Sequence, residues 1–178
     1  MDRDDEKWQK SNAGDESGLS TIYRQNFLPM FQYGIKFKDD PDFIKDRIQD
    51  VFCKLIQANT NLRSKFSIRY YLLKALKNSI LKELDRSKKN ISIEDVPMRF
   101  EAAFSLEEEI IEKEDKTRKD KALLDGLKSL SHRQREIIYL RYECGLEYDQ
   151  ICKVMDLKND SVRKLVFRAI KSLKKIVE

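Results

Sequence analysis

The groups in this sequence with chemistry to offer are cations, aromatic rings and amides set at helical spacing. Near the C-terminus, Arg163, Lys164, Arg168, Lys171, Lys174 and Lys175 fall off an apolar stripe of Val162, Leu165, Val166, Ala169, Ile170, Leu173, Ile176 and Val177. That stripe follows the i, i+3, i+4, i+7 rhythm of a helix with one buried face. The basic residues lie away from it, accompanied by Asn159, Ser161 and Phe167. Arg and Lys neutralise phosphates and can donate to guanine O6 and N7, so this face suits the major groove of duplex DNA. The N-terminus of the same helix adds backbone N–H groups and a positive dipole end, both suited to a phosphate.

A second polar set lies in the first half. Asp46, Gln49 and Asp50 stand at i, i+3 and i+4, which puts their acceptor oxygens on one helix face. Such a face suits basic groups on a protein partner, with Val51 and Phe52 packing beneath or beside it. Catalysis has little to work with. His132 is the one histidine, and the chain has no glycine-rich phosphate loop and no cluster with metal-ligand spacing. The expectation is no enzyme, no cofactor and no metal. Cys53, Cys144 and Cys152 are odd in number and lack CxxC spacing, which argues against disulfides and zinc and fits a reducing cytoplasm. The acidic, polar start does not read as a signal peptide, and no apolar run approaches a membrane span.

Helices must position these groups. Among 178 residues Gly (5) and Pro (3) are scarce while 38% are charged, which disfavours strands and tight turns. A net charge of +5 leans toward a polyanionic partner. Residues 1–18 read as a disordered polar tail. Residues 19–88 carry three stripes: Phe27, Met30, Phe31 and Ile35; then Phe43, Ile44, Ile48, Val51, Phe52, Leu55 and Ile56; then Ile68, Tyr71, Leu72, Ala75, Leu76, Ser79, Ile80 and Leu84. Asp40-Pro41 opens the second, with Asp40 as cap and Pro41 in the first turn. Residues 89–121 read as a flexible linker, with a helix starting near Ser105 or Leu106. Residues 122–178 form a second helical block. Ser131 and Gln134 have capping-box spacing, and Gly145 ends the helix they open. Helices at about Tyr148–Met155 and Asn159–Ile176, separated only by Asp156, Leu157 and Lys158, read as a helix-turn-helix. The fold expected is all-α: two small helical domains joined by a flexible linker.

These segments resemble a family. GLEYDQICKVMDLKNDSVRKLVFRAIKSL, from Gly145 to Leu173, resembles the promoter-binding helix-turn-helix of extracytoplasmic-function (ECF) sigma factors of the sigma-70 family. LSHRQREIIYLRY, from Leu130 to Tyr142, resembles the L-P-x-R-Q-R-E helix that precedes it there. DRIQDVFCKL, from Asp46 to Leu55, looks like the family's D-x-x-Q-D-V-F segment, which docks on the clamp helices of the polymerase β′ subunit. YYLLKALKNS, from Tyr70 to Ser79, is similar to the W-L-x-x-I-A-x-N helix that grips the opened promoter. FSLEE at Phe104 looks like linkers in sigma factors of Bacteroidetes type.

The resemblance implies a cytoplasmic initiation factor with three working surfaces. Asp46, Gln49, Asp50 and Phe52 would bind core RNA polymerase, with the β flap a further contact. Tyr70, Tyr71, Lys74, Lys77 and Asn78 would hold the melted minus-ten element, where cations grip a backbone and flat rings receive unstacked bases. Asn159, Ser161, Arg163, Lys164, Phe167, Arg168 and Lys171 would read the minus-thirty-five element. An anti-sigma factor is a further implied partner. The competing class is a helix-turn-helix regulator that binds duplex DNA without polymerase, which would need a dimer seam that the sequence does not offer. Departures from the family pattern set two local expectations: Asp156, replacing a turn glycine, takes left-handed geometry, and Asn159 caps the last helix where Lys158 replaces a serine.

Overall fold

The computed structural model describes residues 16–57, 67–87 and 117–177. Within them all regular structure is helical, as expected. By contacts the chain divides into two compact units, Met1–Pro97 and Met98–Glu178. Most of the expected tail and linker, including the helix expected near Ser105, lies outside the described residues. Two helices start earlier than their apolar content suggests. The first begins at Glu16, inside the expected tail, and the fourth at Thr117, inside the expected linker. Both have polar first turns; the apolar contacts that hold a helix down need not begin at its first residue.

The first unit holds α1 (Glu16–Ile35), α2 (Pro41–Gln57) and α3 (Ile68–Ser87), each packed on the other two. Asp40 caps α2 as expected: its Oδ1 accepts from the Phe43 N–H at 3.1 Å, and its carbonyl accepts from Ile44 at 3.0 Å. Lys38 closes the turn, its Nζ 2.8 Å from Asp40 Oδ2 and 4.1 Å above the Phe43 ring. The core is Ile22, Met30, Tyr33, Phe37, Ile44, Ile48, Val51, Leu55, Leu72, Leu73, Leu76 and Ile80.

The α1 stripe is turned from the one read in sequence. Ile22, Asn26, Met30 and Tyr33 are buried, whereas Phe27, Phe31 and Ile35 are only half-buried. The rings instead form a row along the flank, Tyr23 to Phe27 to Phe31, with Tyr23 edge-on to Phe52 at 4.9 Å. These rings line the flank of the seam between helices, while Tyr33 and Phe37 pack edge-on in the core at 5.0 Å. α1 and α2 approach closely at Gly34, where an added Cβ would stand 2.7 Å from Ile44 Cγ2.

The second unit holds α4 (Thr117–Ser129), α5 (His132–Ile138), a π-helical turn (Tyr139–Glu143), α6 (Tyr148–Met155) and α7 (Asn159–Val177). The capping box is made as expected: the Gln134 N–H donates to Ser131 Oγ at 3.3 Å, and the Ser131 N–H to Gln134 Oε1 at 2.9 Å. The helix expected to run on to Gly145 widens first: the Cys144 N–H reaches the Tyr139 carbonyl at 3.0 Å, five residues back. Gly145 then turns the chain at φ 67°, and Asp156 ends α6 at φ 52°, ψ 52°, the left-handed geometry anticipated for it. α7 packs against α4, α5 and α6. No helix among the described residues is long and apolar enough to cross a membrane.

Two glycines give opposite expectations. Gly34→Ala forces backbone or Ile44 to move and should destabilise the first unit by about 1–3 kcal/mol. Gly126→Ala meets the tip of Leu173, Cδ2 at 3.1 Å, and Ile176 at ordinary contact distance, Cγ2 at 3.7 Å, and gains roughly 0.5–1 kcal/mol of helix propensity, so the second unit should hold or rise in stability. Urea unfolding combined with amide hydrogen exchange in each unit separates the two.

Asp40 makes stability depend on pH. The Lys38 ammonium, and after it the Phe43 N–H, hold its carboxyl below its ordinary 3.8. A lowered folded value means that the contribution is complete above pH 3.8 and fades as pH falls through the folded value. The thermal midpoint of the wild type should exceed that of Asp40→Asn at pH 7, with the gap closing in acid.

Candidate nucleic-acid interface

Each α7 residue singled out in sequence lies off the buried stripe. Val162, Val166 and Ala169 are buried, while Ser161, Arg163, Lys164, Phe167, Arg168 and Lys171 are exposed. Phe167, at 67% exposed, is an aromatic ring presented outward between Lys164 and Lys171 on one face. The basic face is not uniformly positive, because Asp160 occupies the first turn, where an acid is favoured by the helix dipole.

Asn159 departs from expectation. It is the first residue of α7, and the Lys158 carbonyl starts the ladder by accepting from Val162 at 3.0 Å. Its side chain does not turn back on the helix. Nδ2 donates to Asp149 Oδ1 at 2.9 Å, and Oδ1 accepts from Arg163 Nε at 2.8 Å. Tyr148, at the start of α6, lies between two arginines. The Arg163 and Arg141 guanidinium carbons stand 5.7 and 5.0 Å from its ring centre. Arg141 is itself fixed, donating to the Leu146 carbonyl at 2.9 Å and Glu147 Oε2 at 3.0 Å. Glu147 also caps α6 reciprocally with Gln150. Sequence reasoning missed Arg141, Glu147 and Tyr148; the Glu147–Gln150 spacing was the available signal.

In the first unit the acceptor face of α2 survives with one change. Asp46 and Gln49 are exposed, but Asp50 is half-buried and paired with Arg47 Nη1 at 3.0 Å. The same Arg47 atom approaches Glu83 of α3 at 3.9 Å. Phe52 is 5% exposed, so it supports the face from below and offers no surface of its own.

On α3 the sequence reading needs correcting. Tyr70 and Lys77 are buried, at 7% and 5% exposed, whereas Tyr71 and Lys74 are half-buried and Asn78 is exposed. The apolar stripe read in sequence includes Tyr71; the core tyrosine is Tyr70. The cause is that α3 sits against both α1 and α2, so Tyr70, Leu73 and Lys77 are covered as well as Leu72, Leu76 and Ile80. The uncovered face carries Tyr71, Lys74, Asn78 and Lys82, at i, i+3, i+7 and i+11.

Burial, then Cys144 and Glu143, pushes the Tyr139 hydroxyl far above its ordinary value. Burial, and after it the Asp149 charge, raise the Cys152 thiol above its ordinary value. Among the described residues no three His, Cys, Asp or Glu side chains gather as a metal site.

The second unit thus presents a helix-turn-helix with a basic, aromatic outer face, and the sequence comparison meets it there. Residues 120–173 match the family model for Sigma-70, region 4. The region 4 match lies wholly within the second unit and includes the whole of α5, the π turn and α6. No curated protein matches the chain. A chain of the solved RsbN-BldN complex is 16% identical, covering 98% of this chain and 99% of that one, with a TM-score of 0.40.

Exposure predicts how the second unit tolerates change. Phe167→Ala should alter stability by no more than about 0.5 kcal/mol. Ile137→Ala, at a fully buried position, should cost about 2–5 kcal/mol. Denaturant unfolding of both variants measures the contrast.

Proposed function

We propose that the chain is a sigma factor of ECF type, which binds core RNA polymerase and directs it to promoters without catalysing a reaction. The observation that carries this reading is the region 4 match over a helix-turn-helix whose last helix turns Arg163, Lys164, Phe167, Arg168 and Lys171 outward. That helix reads the minus-thirty-five element in the major groove, cations on phosphates and polar groups on base edges. In the first unit, Asp46 and Gln49 meet basic groups of the polymerase clamp, while Asp50 acts within its pair with Arg47. The Tyr71, Lys74, Asn78 and Lys82 face of α3 holds the separated strand of the minus-ten element, combining rings with cations as single-strand binders do. Tyr70 and Lys77 support that face from the core. Two DNA-binding units on one chain reach two elements together and gain affinity through effective concentration. The protein works in the cytoplasm, and an anti-sigma factor that covers these surfaces is its expected regulator.

Co-purification with bacterial core RNA polymerase tests the reading. Wild type should be retained. Asp46→Arg with Gln49→Arg should be retained about tenfold less or worse, the scale of losing one or two charged contacts. Both positions are exposed and lie outside the Arg47–Asp50 pair, so the fold is spared. A wild-type chain that ignores polymerase yet binds a duplex tightly by itself would instead be a helix-turn-helix regulator.

A further inference from the structure

We propose that Asn159 is a positioning residue, and that Arg163, aimed by Asn159 and the Tyr148 ring, reads a guanine through its two terminal nitrogens; this rests on the duplex-reading role proposed above. To read adenine, an asparagine needs both ends of its amide for N6 and N7. Both ends of Asn159 are engaged: Nδ2 on Asp149 Oδ1 at 2.9 Å, and Oδ1 under Arg163 Nε at 2.8 Å. The amide cannot turn over, since that would set its carbonyl against a carboxylate and its NH2 against a guanidinium.

The partners explain why the side chain is there. Asp149 belongs to α6 and Arg163 to α7, so the amide spans the turn and ties the arginine to the preceding helix. With Nε engaged, the hydrogen-bonding edge left to Arg163 is its Nη1–Nη2 end, which matches guanine O6 and N7 in a bidentate contact. Tyr148 supplies the second constraint, its ring centre 5.7 Å from the guanidinium carbon, and Arg141 stands 5.0 Å from the same ring. An arginine held before binding has less rotamer freedom to lose when the groove closes around it.

The test has two arms on the full chain. In the first, ¹⁵N relaxation of the Arg163 Nε–H is compared in wild type, Asn159→Ala and Asp149→Asn. The proposal expects an ordered group in wild type, a mobile one in Asn159→Ala, and retained order in Asp149→Asn, whose amide oxygen still accepts. Equal mobility in wild type and Asn159→Ala overturns the positioning role, whatever the protein binds. In the second arm, duplexes are selected from a randomised pool with and without core polymerase. Arg163→Ala should lose about tenfold or more of the preference at one G·C pair, and Asn159→Ala should lose the same preference while others persist. Loss at an A·T pair that Arg163→Ala retains would show Asn159 itself reading a base and overturn the proposal. Selection of no duplex under either condition overturns the guanine assignment together with the function it rests on, while the relaxation arm still decides the positioning.

Discussion

The second unit depends on how α7 is buried. Val162, Val166 and Ala169 face inward, and α4, α5 and α6 all pack on the helix they belong to. Burying each valine is worth about 1.5–3 kcal/mol, so the stripe fixes the rotation of α7 about its own axis. Every outward residue is then fixed by default. Phe167 and Lys171 point to solvent because Val166 and Ala169 cannot. The DNA-reading role proposed for this surface needs such rigidity, since a side chain a few ångströms astray loses a base edge. Here the stiffness comes from apolar packing, and the polar contacts at the helix start only refine it.

The first unit meets its constraint differently. Its three helices touch one another mutually, so each has two partners to satisfy. α3 consequently buries a tyrosine and a lysine together with its leucines, and its polar surface narrows to one strip. Gly34 belongs to the same economy of space: α1 and α2 approach closely there, and only a residue without a side chain fits against Ile44. The pair of Arg47 with Asp50, reaching on to Glu83, ties the outer edges of α2 and α3 where apolar contact gives out. Partly exposed pairs of this kind contribute little stability singly, but they settle which carboxylates still face solvent.

This contrast between the units decides how much could be read in the sequence. The bounds of α6 and the start of α7 were legible because the turn is punctuated: Asp156 takes a backbone conformation that few residues accept, and the α7 stripe is unambiguous. The outward set on α7 was legible as the complement of that stripe. On α3 it was not, because Leu72 and Leu73 are adjacent and periodicity cannot say which side a second helix will cover. The fate of Asn159 was hidden for another reason. Its partner Asp149 lies ten residues away across the turn, beyond the reach of local capping rules. The Arg141–Tyr148 contact was hidden likewise, since it depends on a π turn that no residue type announces.

That π turn, Tyr139–Glu143, spends five residues where an α-helix would close its hydrogen bond with four. A turn of this width can take up one extra residue without displacing the helices downstream. The bulge confines the change to one loop of backbone, and Gly145 resets direction before α6 begins. Arg141 lies within the widened turn and reaches the Leu146 carbonyl, Glu147 and the Tyr148 ring. With one residue fewer in the turn, residue 141 would be rotated by about 100°, the angle per residue of an α-helix. The width of this one turn therefore decides which side chain stands against the aromatic ring that opens α6.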